Sequence, residues 1–295
     1  MASAVRILQI YYDAATRSIL DPAFEPLDNR SNERPDWFEY WPIRRFLDSQ
    51  PLDDSTYYGF FSPKFTRKTG LAGHQVQEFI ARLEAGADVV TFSPFPEAAA
   101  IHLNIFLHGE ACHSGLLRAS QAFVSSLGIG VEVEHMVMDT RNTVFCNYFV
   151  ARAPFWRAWR QVLDSCMAHA ENPSSPLHAA LVAPTTHEGR VGPQMKIFVM
   201  ERMVSFLLMG PGRWSVANYP PFQLPVAPFW ASILAQVVAL DALKRSYRNG
   251  GDADFIRAFQ ALRKLMFSPP SRPLAPGTQS FLSAPGNPAA VPRPA

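Results

Sequence analysis

Ionisable and amide side chains gather at a few places along the chain, and each place suits a particular chemistry. Lys64 leaves the apolar run TYYGFF (56–61) within SPKF, with Arg67 and Lys68 close behind. The exit of a strand in an open α/β sheet is where ligands bind, so Lys64 is placed to meet a phosphate, the plain alternative being solvated lysines in a turn. A second run, DVVTF (88–92), also exits into Ser-Pro-Phe, beginning at Ser93. The repetition suggests two similar exits lining one crevice, or two proline-terminated strands by coincidence. Tyr11 and Asp13 close the first apolar run and would face the same crevice. Asp139, Arg141 and Asn142 precede VFCNYFV (144–150), an apolar run that itself contains Asn147. An amide in such surroundings must be hydrogen-bonded, so Asn147 either braces a loop or faces a polar cavity. Glu201-Arg202 interrupts a stretch that is apolar on nearly every side, either as an internal ion pair with a partner elsewhere in the core or as a catalytic carboxylate.

Other signatures drop out. The chain has no G-x-S-x-G, no G-x-x-x-x-G-K-[ST] and no G-x-G-x-x-G after its first run, where DAATRS follows instead. In HGEACH (108–113), His108-x-Glu110 matches half of a zinc-deaminase signature without the P-C-x-x-C partner. A polar helix end explains it better, and no metal ligand is assigned, while His113 and Glu110 stay available for proton transfer.

The elements that must position these residues follow from patterning. Runs 5–12, 56–61, 88–92, 133–138 and 144–150 are β-branched and aromatic without strict alternation, which predicts strands covered on both faces. Helical spacing of apolar residues predicts helices over 73–84, 153–170, 194–209, 228–247 and 252–266. The alternation predicts an α/β fold with a mainly parallel sheet flanked by helices, and a more helical C-terminal half. Between the first two strands lie 43 residues rich in Asp28, Asn29, Asn32, Arg34, Asp36, Glu39, Arg44 and Arg45 interleaved with Trp37, Phe38, Tyr40 and Trp41. That is too long for a plain loop. It is either a peripheral subdomain with packed aromatics or the rim of a ligand site.

Composition bounds the partners. The chain has 295 residues with 27 Lys+Arg against 25 Asp+Glu, so no field strong enough to hold nucleic acid is expected. Three cysteines at long spacings, Cys112, Cys146 and Cys166, support neither a disulfide framework nor a zinc site and fit a cytoplasmic setting. No run reaches the ~20 apolar residues of a membrane span, although peripheral association at the inner membrane stays open. Residues 268–295 hold 8 of the 26 prolines, which predicts a disordered tail after one domain over 1–267.

The stretch NYFVARAPFWRAWRQVLDSCMAHAE, followed by KIFVMERMVSFLLM, resembles the C-terminal half of GT-A-type glycosyltransferases encoded in bacterial capsule and O-antigen clusters. In those, an Asn-x-Phe strand leads to a Trp-bearing helix and a later helix carries Glu-Arg. LDPAFEPLDNRSNERPDWFEYWPIRRFL with YYGFFSPKFTRKTG is also similar to proteins of polysaccharide loci. The resemblance implies a Rossmann-type nucleotide half, a more helical acceptor half, a nucleotide-sugar donor and a saccharide or lipid-linked saccharide acceptor. Such enzymes usually hold a divalent metal with Asp-x-Asp at a strand exit, where this chain reads Ser93-Pro94-Phe95; its one Asp-x-Asp, Asp252-Ala253-Asp254, reads as a helix cap. Metal use is therefore doubtful, and Lys64 or Arg141 would have to neutralise the leaving diphosphate. Asp139, Glu201 and His113 are the candidates for the base, and Tyr11, Asp13, Lys64, Ser93, Arg141 and Asn147 for donor binding. The competing expectations are a non-catalytic assembly protein of the same polysaccharide machinery that keeps the fold, and a transferase of a methyl or acyl group.

Overall fold

Two-sided burial of the apolar runs produces one central sheet. A computed structural model describes residues 4–83, 86–187, 190–210 and 212–267. In chain order the elements are β1 (Val5–Tyr11), α1 (Ala14–Ser18), β2 (Glu25–Asp28), α2 (Tyr40–Ser49), β3 (Tyr57–Phe61), α3 (Phe65–Thr69), α4 (Gly73–Ala81), β4 (Val89–Thr91), α5 (Pro96–Ile101), α6 (Ile105–Cys112), α7 (Leu116–Ser126), β5 (Phe149–Arg152), α8 (Ala153–Glu171), α9 (His178–Val182), β6 (Pro184–His187), β7 (Arg190–Gln194), α10 (Met195–Leu207), β8 (Val216–Asn218), α11 (Pro228–Ala231), α12 (Leu234–Gly250) and α13 (Ala253–Phe267). Six strands form the sheet in the order β2-β1-β3-β5-β4-β8, and β6 pairs with β7 separately. Pairings β1–β2, β1–β3 and β4–β8 are parallel, whereas β5 runs antiparallel between β3 and β4.

Period-two alternation distributes the core over both faces. Leu8, Ile10, Tyr58, Phe60, Val89, Phe149 and Ala151 face one side with Trp156, Trp159 and Val199, while Ile7, Tyr57, Phe61, Val90 and Val150 face the other with Phe65 and Val76. Where β3 meets β5, Gly59 is required, because a Cβ there would lie 2.8 Å from Val150 Cγ2. No helix of the described residues is long and apolar enough to cross a membrane.

The predicted α/β class and mainly parallel sheet are present, with local differences. Only the end of 144–150 is strand, because the backbone N–H groups of Val144, Phe145 and Cys146 donate to Ser205 Oγ (2.8 Å), Ser93 Oγ (3.0 Å) and Glu201 Oε1 (3.0 Å) instead of to a ladder. Residues 133–138 form a 3-10 turn (Val133–His135) and an irregular segment, since the Asn104 amide gathers the carbonyls of Val133, Glu134 and Met136. The stretch 228–247 divides between α11 and α12. Between β1 and β3, the long connection supplies β2, which the apolar pattern missed because it is four residues of half-exposed EPLD. The expected tail, 268–295, lies outside the described residues.

Candidate functional site

Parallel strands β1, β3 and β4 point their carboxyl ends toward one edge, and the chemistry-bearing residues collect there. A cavity of about 180 Å³ opens between the ends of β1 and β3, lined by Ile10, Tyr12, Asn29, Asn32, Phe38 and Glu39 among others. Tyr12 and Phe38 each expose 45% of their surface. Asn29 follows β2, donates its N–H to Tyr11 O (2.8 Å) and is 93% buried, yet its Oδ1 has no partner. A buried acceptor at a cavity wall calls for a donor from a ligand or water.

Anchors on either side fix the orientation of Phe38 and Glu39. Trp37 is fully buried, with Lys196 Nζ 3.8 Å above its ring, and Lys196 also pairs with Asp36 (2.8 Å). Tyr40 is buried and its hydroxyl donates to Asp164. Held at both ends, the chain passes through Phe38 at φ 49°, a conformation that a residue with a Cβ rarely adopts, and turns residues 38 and 39 outward. Glu39 lines the cavity and is an exposed residue. Desolvation by the protein packed beside it raises its pKa above the usual carboxylate value, and the nearby Glu201 charge adds to the effect while Lys68 and Lys64 oppose it.

Beside this carboxylate lies a second strained segment. Cys146 and Asn147 have φ of 60° and 53°, and Phe95, leaving the β4 exit, has φ 61°. Lys68 Nζ reaches Cys146 Sγ at 3.0 Å and stands 5.9 Å from the Phe95 ring centroid and 6.0 Å from that of Tyr148. Burial first, and then Glu201, push the Cys146 thiol up to about 12. Burial works against the Lys68 charge, but Cys146, Glu201 and Glu39 outweigh it and hold its pKa above the ordinary lysine value. Asn147 Oδ1 is buried and unpartnered, like that of Asn29. Glu201 and Glu39 thus both favour the charged form of Lys68, and Lys68 and Lys64 both favour ionisation of Glu39.

The residues expected from sequence fall in several places. Lys64 is exposed at the start of α3, and Ser93 accepts the Phe145 N–H, which ties the β4 exit to the strained loop. Tyr11 is buried at the end of β1, with the guanidiniums of Arg17 and Arg30 over its ring at 5.6 and 5.7 Å. Asp13 caps α1 by accepting from Thr16, whose hydroxyl holds its pKa below the usual value. Asp139 is fully buried. Burial would raise its pKa, but the paired bonds from Arg141 Nε (3.0 Å) and Nη2 (2.8 Å), with Arg248 at 3.6 Å, lower it. His113 stacks on Phe198 at 3.7 Å and its Nδ1 lies 2.9 Å from Thr186 O, so it packs against α10 and β6. Sequence reading assigned none of Glu39, Lys68, Tyr12 or Asn29 as a site residue. Glu39 and Asn29 stood out only within the dense long connection that could be a ligand rim, Lys68 only within the basic run after Lys64, and Tyr12 only as the end of the first apolar run.

Among the described residues, no group of three or more His, Cys, Asp or Glu converges as metal ligands. Ser93-Pro94-Phe95 at the β4 exit offers a hydroxyl and no carboxylate, and Asp252 accepts from the Asp254 N–H at the start of α13, so neither place fits a divalent ion. Comparison with family models, curated proteins and solved structures finds no significant match for this chain.

Proposed function

We propose that the crevice binds a nucleotide-activated sugar and that the protein transfers that sugar to a saccharide, on a GT-A-like scaffold. The observation that carries this reading is the coincidence, at the carboxyl edge of β1 and β3, of exposed aromatic faces, an unpartnered buried amide oxygen and the Glu39 carboxylate. Tyr12 and Phe38 offer planar surfaces to a base. Asn29 Oδ1 accepts a base N–H that water would otherwise satisfy. Lys68 and Lys64 supply positive charge for a leaving diphosphate, which is the largest demand that glycosyl transfer makes of a protein.

Glu39 suits the base that takes the acceptor proton, because its raised pKa and solvent access combine proton affinity with reach. Glu201 accepts the Cys146 N–H and so holds the strained loop beneath the sugar. Asp139, engaged by two arginines, braces the neighbouring turn.

Thermal-shift measurements with nucleotide sugars, free nucleotides and S-adenosylmethionine, with and without Mn²⁺, test this reading. Stabilisation by nucleoside diphosphates and their sugars, reduced by Lys68→Ala, is the expected result. Stabilisation by S-adenosylmethionine alone, or by none of the panel, overturns it, and donor binding with no transfer to any saccharide favours the non-catalytic assembly role.

A further inference from the structure

A second opening at the same edge of the sheet belongs to none of the residues above. Strand β8 runs parallel to β4 and ends at Asn218, so the chain that follows it also leaves at the carboxyl edge. There, a cavity of about 370 Å³ lies between residues 220–223 and helix α12, lined by Pro220, Phe222, Gln223, Val238, Ala242 and Arg245 among others. Proline and aromatic rings form one wall, a surface that suits the apolar face of a pyranose.

Charge adds a second observation. Asp241, 1% exposed, spends its oxygens on the Thr140 N–H (2.8 Å), the Thr140 hydroxyl (2.9 Å) and Arg245 (2.8 Å). Asp139 is likewise used by Arg141 and Arg248. Three guanidiniums therefore share two buried carboxylates, and one positive charge is left without a counter-ion in this cluster. Arg245 Nε is buried and has no partner, while the Arg245 and Arg141 side chains keep 35% and 39% of their surface exposed. An arginine cluster with surplus charge beside an apolar wall recognises a ligand that is planar or cyclic and anionic. Asn218, at the end of β8, ties this region to the carboxyl end of β4 and to the Asp139 turn, its amide donating to Thr91 Oγ1 (2.6 Å) and to Arg141 O (2.8 Å).

We propose that this groove is the acceptor subsite and that it selects a pyranose carrying a negative group, a uronate carboxylate or a sugar phosphate. The assignment rests on the transferase reading for the word acceptor, and on the groove's own chemistry for the ligand. Heteronuclear NMR titration of the full chain with methyl glucuronide, glucose 6-phosphate, neutral methyl glucoside and inorganic phosphate tests it. Either anionic sugar is expected to shift the Gln223 and Val238 amides saturably, and the two arms distinguish carboxylate from phosphate. Ala242→Trp, which fills the groove from an exposed helix position, should weaken that binding at least about tenfold, as loss of a charge-assisted contact does. Val238→Phe serves the same purpose if the first variant misfolds. Nucleotide affinity at the β1–β3 crevice should stay unchanged in either variant. Equal binding of methyl glucoside or of inorganic phosphate, no saturable shift with either anionic sugar, or binding untouched by a filled groove would each overturn the proposal. Loss of nucleotide binding with groove binding intact would instead sink the transferase reading and leave an anionic-sugar site standing.

Discussion

Glu39 and Asp139 are both carboxylates near the sheet edge, and their surroundings give them opposite duties. Glu39 has solvent access, a raised pKa and no arginine partner in the described structure, whereas Asp139 is sealed between two arginines. Substitution should separate them. Glu39→Gln is expected to lower turnover by about 10²- to 10⁴-fold with an unchanged denaturation midpoint. Asp139→Asn should cost about 3–5 kcal/mol in urea unfolding, because it leaves Arg141 and Arg248 unneutralised. The acid limb of kcat/KM in the unmodified protein should lie above 4.5, the ordinary glutamate value, since the base works only when deprotonated. A limb at or below that value, or an active Glu39→Gln protein, would remove Glu39 from the chemistry.

At the scale of elements, the crossing of α6 and α10 determines whether Glu201 can hold its loop. Arg202, 3% exposed, lies against α6 and donates to Ile105 O (3.3 Å) and Phe198 O (2.6 Å). The contact needs a residue without a side chain at Gly109, where a Cβ would sit 2.3 Å from Arg202 Nε. Gly109→Ala should therefore displace the guanidinium and cost about 1–3 kcal/mol, the usual penalty for overpacking. Its neighbour Glu201 would lose register with the Cys146 N–H, so nucleotide affinity should fall together with stability. Calorimetric melting and a nucleotide titration of the same variant check both, and a variant as stable and as tight-binding as the parent would show that the helices yield without consequence.

For the whole molecule, the question is how the C-terminal helical pair is fastened to the sheet. Lys244 is fully buried on α12, donating to Ala99 O (2.5 Å) and His102 O (2.6 Å) at the end of α5, and Arg263 of α13 donates to Ile101 O (2.8 Å). The Lys244 amino group and the Arg263 guanidinium thus satisfy the last carbonyls of α5, whose other end begins beside strained Phe95. Burial lowers the Lys244 pKa from 10.5 to about 7. Between those values the unfolded chain binds a proton that the folded chain does not, so this group's contribution to stability grows as pH rises from about 7 and is complete above 10.5. Urea unfolding across that range should show the parent gaining stability relative to Lys244→Met. A difference between the two that does not change with pH would mean that Lys244 stays charged in its site.

The sequence alone determined the fold class and strands β1, β3 and β4 of the sheet, because predominantly apolar runs such as Val5–Tyr11 and Tyr57–Phe61 have nowhere to go but between two covered faces. It also marked the helices of regular period, Ala153–Glu171 and Ala253–Phe267 among them, and the strand exits at Lys64 and Ser93. What it could not reveal was pairing at a distance. The apolar run 144–150 reads as a strand until Ser93, Ser205 and Glu201, 52 to 61 residues away, take its N–H groups. Glu39 reads as one charge among many until Lys196 and Asp164 pin the aromatic residues on either side of it. Local pattern records which residues must be buried, and that follows from side-chain chemistry alone. Which buried or crevice-facing group meets which partner depends on where the topology folds the chain back, and only the tertiary structure decided it.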